Sequence, residues 1–291
     1  MKKIDSPFTL ILQGGLGNQL FQFFAGKYFS IKSGIPVLFD ARLLSSSKGH
    51  LNSDIQDFIF TKTEDFLNSP SSFKIWETLN RSEIFLAKRV PIYGALRQLV
   101  AIDEVHFSRE IPINNCKKMI GYFQCRKYFE EYKKSVGEID WATTIERKTP
   151  IQLQPEISSP NNIVLHVRGG DFLSNQNEGI NLGIDFYRKG IRSLELGSNA
   201  RIFVFTDDFN HAIQLLHGIP NLEFVDQKGL RASEVLVSML QAQNLIISNS
   251  TLSYWAAIAS EARIIAPNRW LKMGGEVNQI YPRSWKIISI D

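Results

Sequence analysis

An arginine and two glycines directly follow an apolar run in the second half of the chain. The run Ile163 to Val167 is interrupted only by His166, which predicts a buried strand, and Arg168, Gly169 and Gly170 come next. Glycines let backbone N–H groups approach a ligand closely, and an arginine supplies a rigid fork of donors. Ligands of open α/β sheets bind outside the carboxyl ends of the strands. The stretch therefore predicts an anion site of the phosphate type, although a plain turn with Arg168 in a surface ion pair fits the same residues.

Three more predicted strands in this half of the chain are followed by polar residues. Thr206, Asp207 and Asp208 follow the run Arg201 to Phe205, Asp226 follows Leu222 to Val225, and the segment Ser248 to Thr251, which includes Ser250, follows Leu245 to Ile247. The carboxyl ends of parallel strands converge on one edge of a sheet, so these side chains are expected near Arg168. Their convergence predicts a nucleotide-like ligand. Helix capping explains Asp207, Asp208 and Thr251 equally well, because Asp and Thr are common N-cap residues.

A glycine-rich loop near the start of the chain lies between a predicted strand, Phe8 to Leu12, and a predicted helix, Leu20 to Lys32. The loop contains Gly14, Gly15, Gly17 and Asn18. Its glycine spacing differs from the GxGxxG fingerprint, which argues against a nicotinamide dinucleotide site. A polar loop at a helix N-terminus is still a surface that a ligand can approach, and Asn18 as a helix N-cap accounts for the same sequence.

Strands alternate with helices over most of the chain, which predicts an α/β protein with parallel sheets. A proline-containing polar stretch, Arg147 to Pro160, predicts a linker. We therefore expect one domain over residues 1–150 and a second over residues 151–291. The segment Ala41 to Asn115 shows no spacing that carries chemistry. Its predicted helices, Phe73 to Asn80 and Ser82 to Lys88, are set among irregular segments of the kind that often hold substrate specificity. The segment Lys118 to Gln124 predicts a short strand, and the polar Gln124 at its end is either a ligand contact or an ordinary loop residue.

Composition excludes several classes of protein. The 291 residues are 44% hydrophobic and 21% charged, which is typical of a globular protein with a substantial core. The two cysteines, Cys116 and Cys125, have no CxxC spacing, so a disulfide scaffold or a zinc site is not expected. A net charge of +4 suits anionic ligands but is too small and dispersed for a nucleic-acid-binding protein. No apolar run is long enough for a signal peptide or a transmembrane helix.

Five blocks of the sequence together resemble the α-1,2-fucosyltransferases of glycosyltransferase family 11. They are QGGLGNQLFQFFAGKYF, GYFQCRKYF, HVRGGDFL, FTDD and NLIISNSTLSYWAAIASEARIIAPNRW, and they occur in the order of the family. The resemblance implies a GT-B-like fold with two Rossmann-like, doubly wound domains that face a cleft. It assigns the acceptor to the N-terminal domain and the GDP-sugar donor to the C-terminal domain.

The resemblance also implies the chemistry and the residues that perform it. The expected reaction transfers L-fucose from GDP-β-L-fucose, with inversion and without a metal or other cofactor, to O-2 of galactose in a surface glycan such as O-antigen. Asn18 and Arg168 are the expected catalytic residues. The expected donor-binding residues are Gly15, Gly17, His166, Arg168, Asp207, Asp208, Ser250 and Thr251. The usual family block is HVRRGD, and Gly169 replaces its second arginine, which either weakens GDP-sugar binding or indicates a different donor.

Several alternatives remain open at the level of sequence. The donor can be GDP-colitose or another GDP-6-deoxyhexose, the protein can be a non-catalytic GDP-sugar- or glycan-binding relative, or it can be a sugar-phosphate or nicotinamide enzyme on a similar sheet. The expected partners are a GDP-sugar and a glycan acceptor carried on a lipid, with no nucleic acid. The expected location is the cytoplasm, with or without peripheral attachment to the cytoplasmic face of the inner membrane.

Overall fold

The structure is a computed structural model, and the strands among its described residues form two sheets. The residues described are 6–42, 44, 54–58, 61–62, 65–67, 99–102, 107, 117–139, 141, 155–170, 182–270 and 277–290. The predicted helices Phe73 to Asn80 and Ser82 to Lys88 lie outside them, as does most of the segment Ala41 to Asn115. The chain divides into two compact units, Met1–Glu146 and Arg147–Asp291, where the sequence predicts a boundary after residue 150.

Unit 1, Met1–Glu146, contains a five-stranded parallel sheet with the strand order β3-β2-β1-β5-β4. Helix α1 follows β1, and helix α2 follows β5. Aromatic rings pack around α1. The ring of Phe23 stacks on that of Phe39 of β2 with 5.0 Å between the centroids, and the ring of Phe24 packs against that of Phe129 of α2 with 4.8 Å between the centroids. The elements are β1 Phe8–Ile11, α1 Leu16–Ser33, β2 Val37–Asp40, β3 Phe66–Leu67, β4 Leu99–Ile102, β5 Lys118–Gly121 and α2 Arg126–Val136.

Helix α1 begins four residues earlier than the sequence predicts. Its N-cap is Gly15, so Asn18 is not the cap but lies within the first turn. Gln22, fully buried on this helix, donates to the carbonyl of Gln13 at 3.1 Å and accepts from its backbone N–H at 3.0 Å. These two bonds satisfy a buried amide and attach the glycine loop to α1, which favours helix over loop at Leu16 and Gly17.

Unit 2, Arg147–Asp291, contains a six-stranded parallel sheet with the strand order β11-β10-β9-β6-β7-β8. The central strand β6 is buried at all five positions, as expected of a strand covered on both faces. The elements are β6 Ile163–Val167, α3 Ile184–Ser193, β7 Ile202–Thr206, α4 Phe209–Leu215, β8 Leu222–Phe224, α5 Ala232–Leu240, β9 Asn244–Ile246, α6 Thr251–Ala259, β10 Arg263–Pro267, α7 Val277–Ile280 and β11 Lys286–Ile288.

Each sheet has one place where neighbouring strands are far apart in sequence. In unit 1 this place is between β1 and β5, and in unit 2 it is between β6 and β9. In unit 2 the chain leaves β6 towards β7 and β9 towards β10, in opposite directions, so a crevice opens at the carboxyl ends of β6 and β9, where α/β proteins bind their ligands. In unit 1 the strands β1 and β5 occupy the equivalent place, since the chain leaves β1 towards β2 and β5 lies on the other side of β1. The topology alone therefore directs attention to the segments after β1, β5, β6 and β9.

None of the helices in the described part of the chain combines the length and apolar character that spanning a lipid bilayer requires.

Candidate functional site

A buried histidine joins the two strands of the switch point in unit 2. His166 Nδ1 on β6 lies 2.7 Å from Ser248 Oγ, just after β9, and the imidazole is 4% exposed. The Tyr187 hydroxyl donates to the backbone carbonyl of His166 at 3.3 Å. Burial, with a smaller effect from the charge of Arg168, lowers the pKa of His166 from 6.5 to about 3. The ring is therefore neutral at physiological pH and holds the ends of β6 and β9 together. A direct contact between His166 and the donor stays a prediction.

Arg168, two residues after His166, is held by the carboxylate of Asp207, which follows the neighbouring strand β7. Its Nη1 lies 2.6 Å from Asp207 Oδ2, and the backbone N–H of Gly169 donates to Asp207 Oδ1 at 2.7 Å. One carboxylate thus engages both a side chain and the turn that follows it. The Arg168 and Asp207 side chains are 25% and 30% exposed, so water and ligands still reach the pair. Arg168 is preorganised at the strand end without being buried.

The two glycines after Arg168 are required by how closely Asp207 and Asp208 approach. A Cβ at Gly169 would lie 2.5 Å from Asp208 Cβ, and one at Gly170, where φ is +51°, would lie 2.9 Å from Asp207 Oδ2. Real Cβ atoms do not approach an atom of a distant residue as closely as this. The second arginine of the family block therefore has no room on this backbone, and its replacement by Gly169 is matched by the position of Asp208.

Asp208 is the N-cap of helix α4. Its Oδ1 accepts from the backbone N–H of His211 at 3.0 Å, and its own N–H donates to Thr206 Oγ1 at 3.0 Å. The capping explanation therefore holds for Asp208, whereas Asp207 is engaged with Arg168. Donor binding by either carboxylate stays a prediction.

Helix α6 begins at the same switch point. Ser250 is its N-cap by backbone conformation but makes no side-chain cap bond, and Thr251 is its first residue. The Ser253 hydroxyl donates within hydrogen-bonding distance to the carbonyls of Ser248 and Ser250. Ser248 and Ser250 are buried, which fixes the loop between β9 and α6. The N-terminus of a helix carries partial positive charge and free backbone donors, so this end of α6 is suited to an anion.

In unit 1, Asn18 and Gln124 meet at the switch point between β1 and β5. Gln124 Nε2 donates to Asn18 Oδ1 at 2.9 Å, and a Cβ at Gly14, where φ is +77°, would lie 2.6 Å from Asn18 Nδ2. Only a glycine permits this approach with that backbone. Gly15 caps α1, and Gly17 is buried in its first turn. The sequence shows Gln124 as a polar residue at a strand end but contains no signal that pairs it with Asn18, 106 positions earlier.

The structure thus places the predicted residues in two groups. In unit 2, His166 and Arg168 lie at the end of β6, Asp207 and Asp208 follow the adjacent strand β7, and Ser250 and Thr251 follow the adjacent strand β9. The bond from Arg168 to Asp207 joins the first two of these segments, and the bond from His166 to Ser248 joins β6 to the segment after β9. Asn18, Gly15 and Gly17 belong to unit 1. A cavity of about 500 Å³ in unit 2 lies instead near the amino ends of β10 and β11, where Arg263, Trp285 and Lys286 line it, and it includes none of the predicted donor residues.

Two glycosyltransferases of Escherichia coli are similar to this chain over nearly its whole length. The O-antigen biosynthesis glycosyltransferase WbnK of Escherichia coli is 26% identical over an alignment of 299 positions, gaps included, which covers 94% of this chain and 98% of that protein. An alpha-1,2-colitosyltransferase of Escherichia coli is 25% identical over an alignment of 295 positions, gaps included, which covers 96% of this chain and 97% of that protein.

Among solved structures, the fucosyltransferase NodZ from Bradyrhizobium superposes with a TM-score of 0.52 at 14% identity, covering 89% of this chain and 94% of that one. At this identity the likeness concerns the fold, and it supports the GT-B class for an α/β protein whose described strands form parallel sheets. The sequence model described as "Glycosyl transferase family 11" matches residues 107–288, which is more than half of the chain. The protein therefore belongs to glycosyltransferase family 11.

Proposed function

We propose that the protein transfers L-fucose from GDP-β-L-fucose to O-2 of a galactose in a surface glycan such as O-antigen, with inversion at the anomeric carbon. The observation that carries the proposal is the preorganised Arg168, which Asp207 holds at the end of β6, while α6 begins after the adjacent strand β9. Membership of family 11 and the two curated relatives, one named for O-antigen biosynthesis, support a sugar transfer onto such a glycan. A NodZ structure soaked with GDP-fucose has the same fold, with a TM-score of 0.50.

The chemistry requires a place for the charge of the departing diphosphate. As the bond between the anomeric carbon and the phosphate oxygen breaks, its electron pair goes to GDP, and the acceptor oxygen bonds to the opposite face of the sugar and releases its proton. Arg168 and the first backbone N–H groups of α6 are suited to stabilise the charge that develops on GDP. Fixed donors of this kind need no reorganisation during the reaction, and we propose that they act without a metal.

His166 contributes by position in this proposal. Because its ring is neutral and bonded to Ser248, it brings no charge to the diphosphate. It keeps Arg168 on β6 in register with the loop that starts α6. Asp207 fixes the direction of the Arg168 guanidinium, and Asp208 fixes the start of α4 beside it.

GDP-colitose is the second candidate donor. A relative at 25% identity is a colitosyltransferase, and Gly169 leaves Arg168 as the single cation of the family block. A second cation cannot enter at position 169 on this backbone, so the site differs from the usual block of the family. GDP-colitose and GDP-fucose have the same GDP group, so the choice between these donors rests on contacts to the sugar rather than on Arg168.

The acceptor in this proposal is a lipid-linked oligosaccharide ending in galactose. A lipid-linked acceptor implies that the protein works in the cytoplasm at the face of the inner membrane. The net charge of +4 favours loose attachment to an anionic bilayer surface.

The release of GDP from four sugar nucleotides tests the proposal before the acceptor is known. GDP-fucose, GDP-colitose, GDP-mannose and UDP-galactose are compared with and without EDTA. We expect slow hydrolysis of GDP-fucose that EDTA does not change and that Arg168→Ala abolishes. Release of GDP from GDP-colitose alone would mean that GDP-colitose, not GDP-fucose, is the donor. Loss of GDP release in EDTA would refute metal independence. Binding of GDP without its release from any of the four sugar nucleotides would favour a binding protein.

A further inference from the structure

The segment that carries Gln124 has an unusual backbone. Phe123, although not a glycine, has a φ of +50°, and the N–H of Cys125 donates to the carbonyl of Phe123 at 2.7 Å, which makes a tight turn centred on Gln124. The Phe123 ring is fully buried, with its centroid 6.1 Å from those of Phe29 and Tyr128. Left-handed backbone at a bulky residue persists only where the surroundings enforce it, and such positions cluster at functional sites.

This turn ends β5 early and aims Gln124 at the neighbouring strand end. The sequence predicts a strand that continues to Gln124, whereas β5 ends at Gly121 in the structure. The result is the bond from Gln124 Nε2 to Asn18 Oδ1, which crosses the β1/β5 switch point. On the other side of Asn18, the absence of a side chain at Gly14 makes room for Nδ2.

The bond uses one of the two acceptor positions of Asn18 Oδ1 and leaves both N–H donors of the amide for a ligand. The Oδ1 atom already accepts from Gln124, while Nδ2 donates to no other residue in the described part of the chain. An amide in this state offers two N–H donors and is unsuited to take a proton from an acceptor hydroxyl. Oxygen atoms of a sugar are matching acceptors for such donors.

We propose that Gln124 is a positioning residue of the sugar-transfer site, which holds the Asn18 amide so that Nδ2 donates to an oxygen of the reacting sugar. The inference rests on the proposed function for the identity of the ligand. It goes further in assigning Asn18 the part of a hydrogen-bond donor and in assigning Gln124 a part in transfer.

Gln124→Glu tests the polarity of this pair. A glutamate at this position accepts where glutamine donates, so the Asn18 amide turns and presents Oδ1 to the ligand while a hydrogen bond between the two residues is kept. We expect kcat for transfer to fall about tenfold or more, the scale of a misplaced contact at a reacting centre, with GDP affinity and melting temperature near those of the parent protein. Asn18→Asp, which keeps an acceptor for Gln124 but has no N–H, should lose kcat in the same way.

Ser135→Glu is the control for an added negative charge in the same unit, because Ser135 is exposed on α2. It should leave kcat unchanged. A Gln124→Glu protein with kcat within twofold of the parent would overturn the proposal. So would a loss of kcat that is matched by an equal loss of GDP affinity or by a lower melting temperature, since either would indicate a structural role only.

The side-chain amide resonances of Asn18 separate this inference from the proposed function. They are assigned by their loss in Asn18→Asp with ¹⁵N-labelled protein. Because the new glutamate accepts from Nδ2, the Asn18 N–H protons should move downfield in Gln124→Glu. Unchanged resonances would refute the assigned orientation. This readout holds even if the parent protein releases GDP from none of the four donors, in which case the donor assignment fails instead.

Discussion

Replacing Gly169 by alanine tests whether the turn after Arg168 is shaped by contact with Asp208. The new Cβ would lie 2.5 Å from Asp208 Cβ and 3.3 Å from its Cγ, so either the turn or the start of α4 must move. Forcing extra atoms into a packed site costs about 1–3 kcal/mol of the free energy of unfolding. The Gly169 N–H bond to Asp207 moves with the turn, so GDP affinity should fall as well.

A second substitution isolates the contact. Asp208→Gly removes the opposing Cβ, and glycine is nearly as good an N-cap as aspartate, so alone it should cost only about a few tenths of a kcal/mol in cap stability. If the clash is the cause, Gly169→Ala combined with Asp208→Gly is more stable than the sum of the single changes by about 1 kcal/mol or more. The free energy of unfolding is measured in urea by tryptophan fluorescence, and GDP affinity is measured by calorimetry.

Gly197→Ala is the matched control, because a Cβ there meets no atom within 4 Å. It should be neutral or slightly stabilising. Gly169→Arg, which restores the usual family block, should lower GDP affinity rather than raise it. Additive single changes, or a Gly169→Arg protein that is stable and binds GDP more tightly, would refute the steric account and would mean that the missing arginine alone distinguishes this site.

Three more predictions concern the polar residues of the two switch points. Arg168→Ala should lower turnover about a hundredfold or more, which is the scale of losing one charge-stabilising donor. The control is Arg201→Ala, which breaks an ion pair with Glu223 in the same unit and should leave turnover near that of the parent. Equal effects of the two substitutions on turnover would refute the role of Arg168. Asn18→Ala should lower kcat with little change in GDP affinity measured by calorimetry, and a selective loss of GDP binding would instead place Asn18 on the donor side. The pKa of His166 is about 3 in the folded protein and 6.5 without burial, so the unfolded chain binds the proton more tightly and the free energy of unfolding should fall as pH drops from about 7 towards 3, by up to about 1.4 kcal/mol per pH unit. His166→Asn should remove that part of the slope in urea unfolding at several pH values, and an unchanged slope would contradict the buried neutral ring.

Two local errors of the sequence-based prediction have physical causes. The spacing of apolar residues predicts that α1 starts at Leu20, yet Gly15 is the N-cap, and the bonds between Gln22 and the backbone of Gln13 favour the earlier start. Strand β5 was expected to reach Gln124 because Tyr122 and Phe123 are typical strand residues. Tertiary packing around Phe123 overrides that preference and turns the backbone into the left-handed region.

The order of the residues is enough to predict the features that local physics controls: the apolar periods that form strands and helices, the glycines at the turns, and the polar residues at the strand ends. These features depend on neighbours a few residues apart, so they can be read without coordinates. Which strand ends lie together is seen only in the tertiary structure. Asn18 pairs with Gln124 across 106 positions, Arg168 with Asp207 across the β6/β7 pair, and His166 with Ser248 across 82 positions. The order of the strands in each sheet sets these pairings, and the burial that lowers the pKa of His166 arises only when the strands are assembled.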